Sequence, residues 1–184
     1  MKTLARFLAA DPSGNAAVEM ALVAPLLLAI MFGSVELGNY FMNEHSLVKS
    51  VRDGARYAAR QSFTNWPDCS TVNTTVRDNT RLIVKTGYAT SSGGLSGGPV
   101  LTPNITSSDI TISVSCAATA GGQNMLGIYR SRFGGTCNGS AATGCAQVVT
   151  VTAAVPYRSI LGAMGFSGVG MNLNASSQAV VTGI

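Results

Sequence analysis

Charged side chains are scarce in this chain. They make up 11% of its 184 residues, against about 25% in ordinary soluble domains. Nucleic-acid-binding surfaces combine clustered basic residues with aromatic residues. The 12 lysines and arginines of this chain form no run and are not interleaved with aromatic residues. We therefore expect no nucleic-acid partner. A chain with 46% apolar residues and so little charge is instead expected to lie partly in lipid or in a packed assembly.

The groups that carry most enzyme chemistry are equally scarce. His45 is the only histidine, and the eight acidic residues suggest neither a carboxylate pair nor a Ser/His/Asp set. The glycine-rich stretch at residues 91–98 is not followed by the Gly-Lys-Ser/Thr of a phosphate-binding loop. The sequence therefore predicts no catalytic residues, no cofactor and no enzymatic activity.

The four cysteines all follow the long apolar segment near the N-terminus, at Cys69, Cys116, Cys137 and Cys145. None forms the closely spaced pair that zinc sites usually show, so we predict no metal. Their even number in a Ser/Thr/Gly-rich region favours disulfides and an oxidising compartment, with four free buried thiols as the alternative. Of the three possible connectivities, we favour Cys116–Cys145, joining two adjacent strands, which leaves Cys69–Cys137.

The apolar segment is long enough to cross a membrane. No charged residue occurs between Met20 and Val35, and a helix from Asn15 to Val35 would extend about 32 Å, close to one hydrocarbon thickness. Lys2 and Arg6 precede it, which favours a cytoplasmic N-terminus. We predict a membrane span over residues 15–38, preceded by a cytoplasmic leader, residues 1–14.

Glu19 separates three interpretations of this segment. A secretory signal would end in a small-residue cleavage site, but the sequence after Phe32 reads Gly-Ser-Val-Glu. An uncleaved anchor leaves Glu19 unexplained, since a carboxylate within a membrane helix costs about 2.5–3.5 kcal/mol, unless it lies at the interface. Cleavage between Gly14 and Asn15 would create an ammonium group four residues before Glu19, on the same helix face.

These residues resemble a known family. Gly14, Asn15 and Glu19, followed by the apolar run through Pro25, resemble the start of type IV prepilins, and more specifically the TadE/TadF pseudopilins of tight-adherence (Flp) pili. Met20 stands where that family usually has an aromatic residue. Four further positions match the pattern of the same family: Pro25, Gly33, Glu36 and Gly38.

The resemblance implies a function. A prepilin peptidase would cut after Gly14, Glu19 would set the register of assembly with Asn15, and Pro25 would kink the helix. The protein would be a minor pilin or pseudopilin in the bacterial inner membrane, with a periplasmic C-terminal domain and possible incorporation into an extracellular pilus. Its partners would be the peptidase, the pilus assembly platform, other pilins and membrane lipid. The alternative is an uncleaved, membrane-anchored periplasmic binding or adhesion module.

The rest of the chain predicts an α+β fold. The first helix is expected to continue to residue 62, with an apolar stripe formed by Leu37, Phe41, Val48, Val51, Ala55 and Ala58. An exposed basic row accompanies it, formed by Lys49, Arg52, Arg56 and Arg60. Residues 63–184 are expected to form an extracytoplasmic α+β domain.

Within this domain, a second helix is predicted from a Ser70 cap to Lys85, ended by Gly87. Residues 109–116, 147–155 and 178–184 show strand patterns, so we expect a small antiparallel sheet packed on helix. The glycine-rich stretch at residues 118–144 is expected to be a loop.

Overall fold

The computed structural model describes residues 12–88, 100–102, 104–117, 119–120, 123–124, 146–163, 165 and 170–183. Most of the predicted leader, the glycine-rich stretch at 91–98, and both Cys137 and Cys145 lie outside these residues. The chain divides into two compact units. The first comprises Met1–Tyr40 and Ser159–Gly168, and the second comprises Phe41–Arg158 and Val169–Ile184.

The first helix, α1, runs from Pro12 to Ala59. It begins before the expected Asn15 because proline suits the first helical turn, where its missing N–H has no intrahelical role. It ends before the expected residue 62. The N–H groups of Arg60 and Gln61 donate to carbonyls three residues back, which tightens the last turn, and a short 3₁₀ helix, Phe63–Asn65, follows.

Part of the predicted apolar stripe of α1 forms the core of the second unit. Val51, Ala55 and Ala58 are buried, as expected, and Leu47 joins them. Leu37 and Phe41, the first two residues of the stripe, are 55% and 48% exposed. Helical periodicity reports an apolar face, and it does not distinguish burial in protein from exposure to lipid.

The second helix, α2, spans Thr74–Thr86. Asn73 caps it by accepting a hydrogen bond from the Thr75 N–H at 2.9 Å, so the predicted Ser70 cap is wrong. The predicted end is confirmed, because Gly87 takes the left-handed conformation, with φ of 79°, that terminates many helices. The buried residues of α2 are Val76, Thr80, Leu82, Ile83, Val84 and Thr86.

Three antiparallel strands form the sheet of the second unit. They are β1 (Ile110–Ala117), β4 (Ala146–Pro156) and β5 (Asn172–Val180), in the order β1-β4-β5. Buried and more exposed residues alternate along much of β4, as expected when one face covers a core. None of the three strands contains a charged residue.

The strands predicted at residues 109–116 and 147–155 are confirmed. The third strand, predicted at residues 178–184, lies earlier in the chain, at Asn172–Val180. β5 begins at Asn172 because its N-terminal half pairs with the end of β4, as in Leu173 opposite Val155. The chain leaves the sheet after Val181, since the Thr182 N–H donates to the Ala59 carbonyl at 2.7 Å. Inside the predicted loop, β2 (Thr119–Ala120) and β3 (Gln123–Asn124) pair as two short antiparallel strands.

Among its described residues, the first unit contains one further element. A short helix, α3, spans Ile160–Ala163 in the connection between β4 and β5. The Ser159 hydroxyl accepts a hydrogen bond from the Gly162 N–H at 2.7 Å, which stabilises this single turn. The predicted α+β class is confirmed by the long first helix, the small antiparallel sheet and the additional helices.

Candidate functional site

The part of α1 in the first unit exposes its apolar side chains. The helix is long and apolar enough to cross a membrane, and its most apolar stretch is not buried among the described residues. Soluble monomers rarely expose apolar patches above a few hundred Å², whereas a lipid-facing helix is apolar all round. The residues concerned are Val18, Met20, Leu22, Val23, Leu26, Leu27, Leu28, Ile30, Met31, Phe32 and Val35.

The predicted processing residues lie at the start of this helix. Gly14 and Asn15 fall within its first turn, and Glu19 is exposed one turn further on. A cut between Gly14 and Asn15 would remove the first three helical residues and leave Glu19 four residues from the new terminus. Residues at this spacing share a helix face.

Three further predicted residues lie inside the same helix. Pro25 is within α1, where its ring cannot donate to the carbonyl four residues back; the kink expected there stays a prediction. At Gly33 and Gly38 an added Cβ would meet no described atom within 4 Å. Packing among the described residues therefore does not require glycine at either position.

Glu36 makes a long-range contact within the first unit. Its Oε2 atom accepts hydrogen bonds from the backbone N–H groups of Ile160, at 3.0 Å, and Leu161, at 3.2 Å. The resemblance singled out Glu36 but not its partners. The sequence contained a signal for these partners. Ile160 and Leu161 are apolar, lie between Ser159 and Gly162, and belong to a stretch without charge that extends to Met171.

A disulfide joins Cys69 to Cys116, with their Cα atoms 5.1 Å apart. The favoured pairing of Cys116 with Cys145, and of Cys69 with Cys137, is therefore wrong. The cause lies in Gln147, which is opposite Cys116 in the sheet. Its Nε2 atom donates to the Trp66 carbonyl at 2.8 Å and to the Asp68 carbonyl at 3.4 Å, which brings the segment containing Cys69 to the end of β1.

Asp68 organises the turn beside this disulfide. Its carboxylate accepts hydrogen bonds from the Ser70 N–H at 2.7 Å and the Thr71 N–H, and from the Thr71 hydroxyl at 2.8 Å. The backbone hydrogen bond from Ser70, then those from Thr71, lower the pKa of Asp68 to about 2, since they stabilise the charged form. Because Asp68 holds Ser70 in this turn, the next helix begins later, at Thr74.

No metal site is found among the described residues, which contain no group of three or more His, Cys, Asp or Glu side chains placed to hold an ion. His45 is exposed on α1, and so is the basic row of Lys49, Arg52, Arg56 and Arg60. The Arg56 Nη1 atom lies 3.8 Å from the Oδ1 atom of Asp53, on the same helix. An exposed pair of this kind contributes about 0–1 kcal/mol to stability.

Comparison with known families identifies the N-terminal segment. Residues 14–56 match the family described as TadE-like protein, which confirms the TadE-like resemblance of this segment. The match begins at Gly14 and covers less than a quarter of the chain. No curated protein and no solved structure matches. The TadE-like segment indicates involvement in the Tad pilus system, as a structural component that associates with other pilus components.

Proposed function

We propose that this chain is a minor pilin or pseudopilin that helps initiate or assemble a Tad pilus. A prepilin peptidase cuts it after Gly14. The mature helix then spans the bacterial inner membrane once, and the domain at residues 63–184 faces the periplasm. Lipid holds the helix until the assembly platform transfers it into a bundle of similar helices, in the membrane or in the growing pilus.

One observation carries this proposal. The TadE-like match begins at Gly14, and the large apolar side chains of the helix from Val18 to Val35 are exposed. A helix whose apolar surface is open on all sides suits both lipid and a helical bundle, because both media are as apolar as leucine. The same helix therefore fits the membrane before assembly and other pilins after it.

The position of Glu19 supports the cleavage step. Within an apolar bundle a carboxylate is costly unless it is paired. Cleavage before Asn15 supplies an ammonium group one helical turn away, on the same chain or a neighbouring one. This pair would fix the axial register of each subunit.

The disulfide supports the orientation. Disulfides persist in oxidising compartments such as the bacterial periplasm, and Cys69–Cys116 lies C-terminal to the apolar helix. Lys2 and Arg6, on the other side of that helix, favour the cytoplasm. Charge and disulfide therefore predict the same topology, with the N-terminus inside.

The decisive measurement is the mass and N-terminal sequence of the protein extracted from bacterial membranes. We expect the mature chain to start at Asn15. Gly14→Leu should leave the precursor uncut, because a bulky side chain replaces the residue before the scissile bond. Gly33→Leu is the matched control, since that glycine lies in the same helix but far from the cut, and it should be processed normally.

An intact Met1 terminus on the wild-type chain would exclude the pilin function and favour the membrane-anchored binding or adhesion module. A terminus beyond Gly33 would instead identify the apolar segment as a secretory signal.

A further inference from the structure

We propose that the β4–β5 connection makes a second contact with the lipid bilayer, through Ile160 and Leu161, and that Glu36 holds it at the membrane edge. This inference rests on the proposed function in one respect, namely that α1 spans a membrane. It adds a second lipid-contacting segment, far from α1 in sequence, and gives Glu36 a structural role.

Hydrogen bonding fixes the depth of this connection. Glu36 directly follows Val35, the last residue of the charge-free run, and a helix rises only about 1.5 Å per residue. The Ile160 and Leu161 nitrogens lie 3.0 and 3.2 Å from the Glu36 Oε2 atom. Their backbone is therefore held at the level where the hydrocarbon layer is expected to end.

The side chains at this level suit lipid better than water. Ile160 is 41% exposed, and Leu161 is partly exposed. No residue from Ser159 to Met171 is charged. Short apolar segments at a membrane surface typically enter the boundary between headgroups and acyl chains, and an exposed isoleucine beside the end of a membrane span is placed to do so.

The backbone of α3 is also suited to this environment. The first N–H groups of a helix have no intrahelical partner, and unpaired polar groups are costly near hydrocarbon. Here the N–H groups of Ile160 and Leu161 both donate to the Glu36 carboxylate, and the Gly162 N–H donates to the Ser159 hydroxyl. The two bonds to the Glu36 carboxylate are charge-assisted, which makes them stronger than bonds between neutral groups.

The contact can be tested by fluorescence quenching in lipid vesicles. Trp66 is the only tryptophan of the chain and is 2% exposed, so its emission provides an internal baseline. Ile160→Trp is introduced into the full chain, reconstituted in phosphatidylethanolamine/phosphatidylglycerol vesicles whose acyl chains are brominated either close to the glycerol backbone or at the chain end. We expect the added emission to be blue-shifted and quenched most strongly by bromine close to the glycerol backbone.

Matched variants test the role of Glu36. Glu36→Ala removes the acceptor, and in the Ile160→Trp background we expect it to abolish most of the quenching. Glu36→Gln keeps an acceptor oxygen and should retain the quenching. Glu44→Ala removes a different carboxylate of α1 and should change nothing. The same Glu36 and Glu44 changes are also made without Ile160→Trp, and unchanged Trp66 emission in those single-tryptophan chains verifies that each variant is folded.

The outcomes separate this inference from the proposed function. If the chain floats with the vesicles but bromination leaves the added emission unchanged, the lipid contact is wrong and the membrane-spanning pilin survives. If emission changes with the protein-to-lipid ratio and not with bromination, Ile160 contacts a second copy of the chain, and the lipid contact is again wrong. A chain that fails to float with vesicles overturns both proposals. Quenching that persists in Glu36→Ala overturns the role given to Glu36.

Discussion

Gly54 of α1 lies directly against Val84 of α2, so close that a Cβ atom at residue 54 would overlap the Val84 Cγ2 atom. Val84 is fully buried and cannot move aside without displacing the core. The absence of a side chain at Gly54 therefore sets the distance at which the two helices pack.

Gly54→Ala should destabilise the second unit. Overpacking of this kind typically costs about 1–3 kcal/mol, against a gain in helix propensity of about 1 kcal/mol. Denaturant unfolding of the full chain in detergent, followed by Trp66 emission, measures the difference. Adding Val84→Ala should relieve the overlap, so that the two changes together cost less than their sum.

Gly38→Ala is the matched control for this prediction. It lies in the same helix, but its added Cβ would meet no described atom within 4 Å. It should leave the unfolding transition unchanged or raise it slightly. Equal destabilisation by both changes would show that the cost arises in the helix itself and not at the contact with Val84.

The disulfide prediction concerns both pairing and stability. Peptide mapping without reductant should recover Cys69 linked to Cys116. The two residues are 47 positions apart, and closing a loop of that length stabilises a protein by about 4 kcal/mol in the chain-entropy treatment. Replacing both by serine should lower stability by that order, whereas the double replacement of Cys137 and Cys145 leaves this bond intact. A peptide linking Cys116 to any other cysteine would contradict the pairing.

Asp68 should make stability depend on pH in acid. Its pKa falls from 3.8 to about 2 in the folded chain, so its contribution is fully present above about pH 4 and is lost as the pH falls toward 2. Asp68→Asn should remove this part of the pH dependence, because an amide does not titrate. Unfolding of both proteins at a series of pH values tests this, and identical slopes between pH 4 and 2 would exclude the role of Asp68.

Glu19→Gln should separate insertion from assembly. Removing a carboxylate from a lipid-exposed helix lowers the insertion cost, and the scissile residues are unchanged, so membrane insertion and cleavage should persist. Recruitment to assembly partners should fail, because a buried ammonium without its partner costs several kcal/mol. Co-purification measures recruitment, with Glu36→Gln as the milder control. Normal recruitment of Glu19→Gln would make Glu19 only an interfacial residue.

Local patterns predicted much of this fold. The long apolar helix, the glycine that ends α2, and the alternation in β1 and β4 each follow from a period or a backbone preference. The start of α2 could not be predicted in this way, because serine and asparagine are both good N-cap residues and the sequence offers Ser70 and Asn73. The choice between them depends on Asp68, which accepts the Ser70 N–H and so holds that residue in a turn.

Contacts distant in sequence were beyond local patterns. Cys69 pairs with Cys116 because the Gln147 side chain holds the Trp66–Asp68 backbone beside the sheet, and no spacing rule encodes that contact. For the same reason the sequence indicated Glu36 without indicating Ile160, which lies 124 residues further along the chain. Lipid and protein core select the same side chains, so the sequence alone did not show that Leu37 and Phe41 are exposed whereas Val51 is buried.

The strands β1, β4 and β5 contain no ionisable side chain except Cys116, whose thiol is oxidised. No side chain of these strands therefore titrates, and none carries a charge that salt can screen. The acid sensitivity expected of Asp68 belongs to a turn outside these strands. Protonation can therefore affect this sheet only through residues outside its strands.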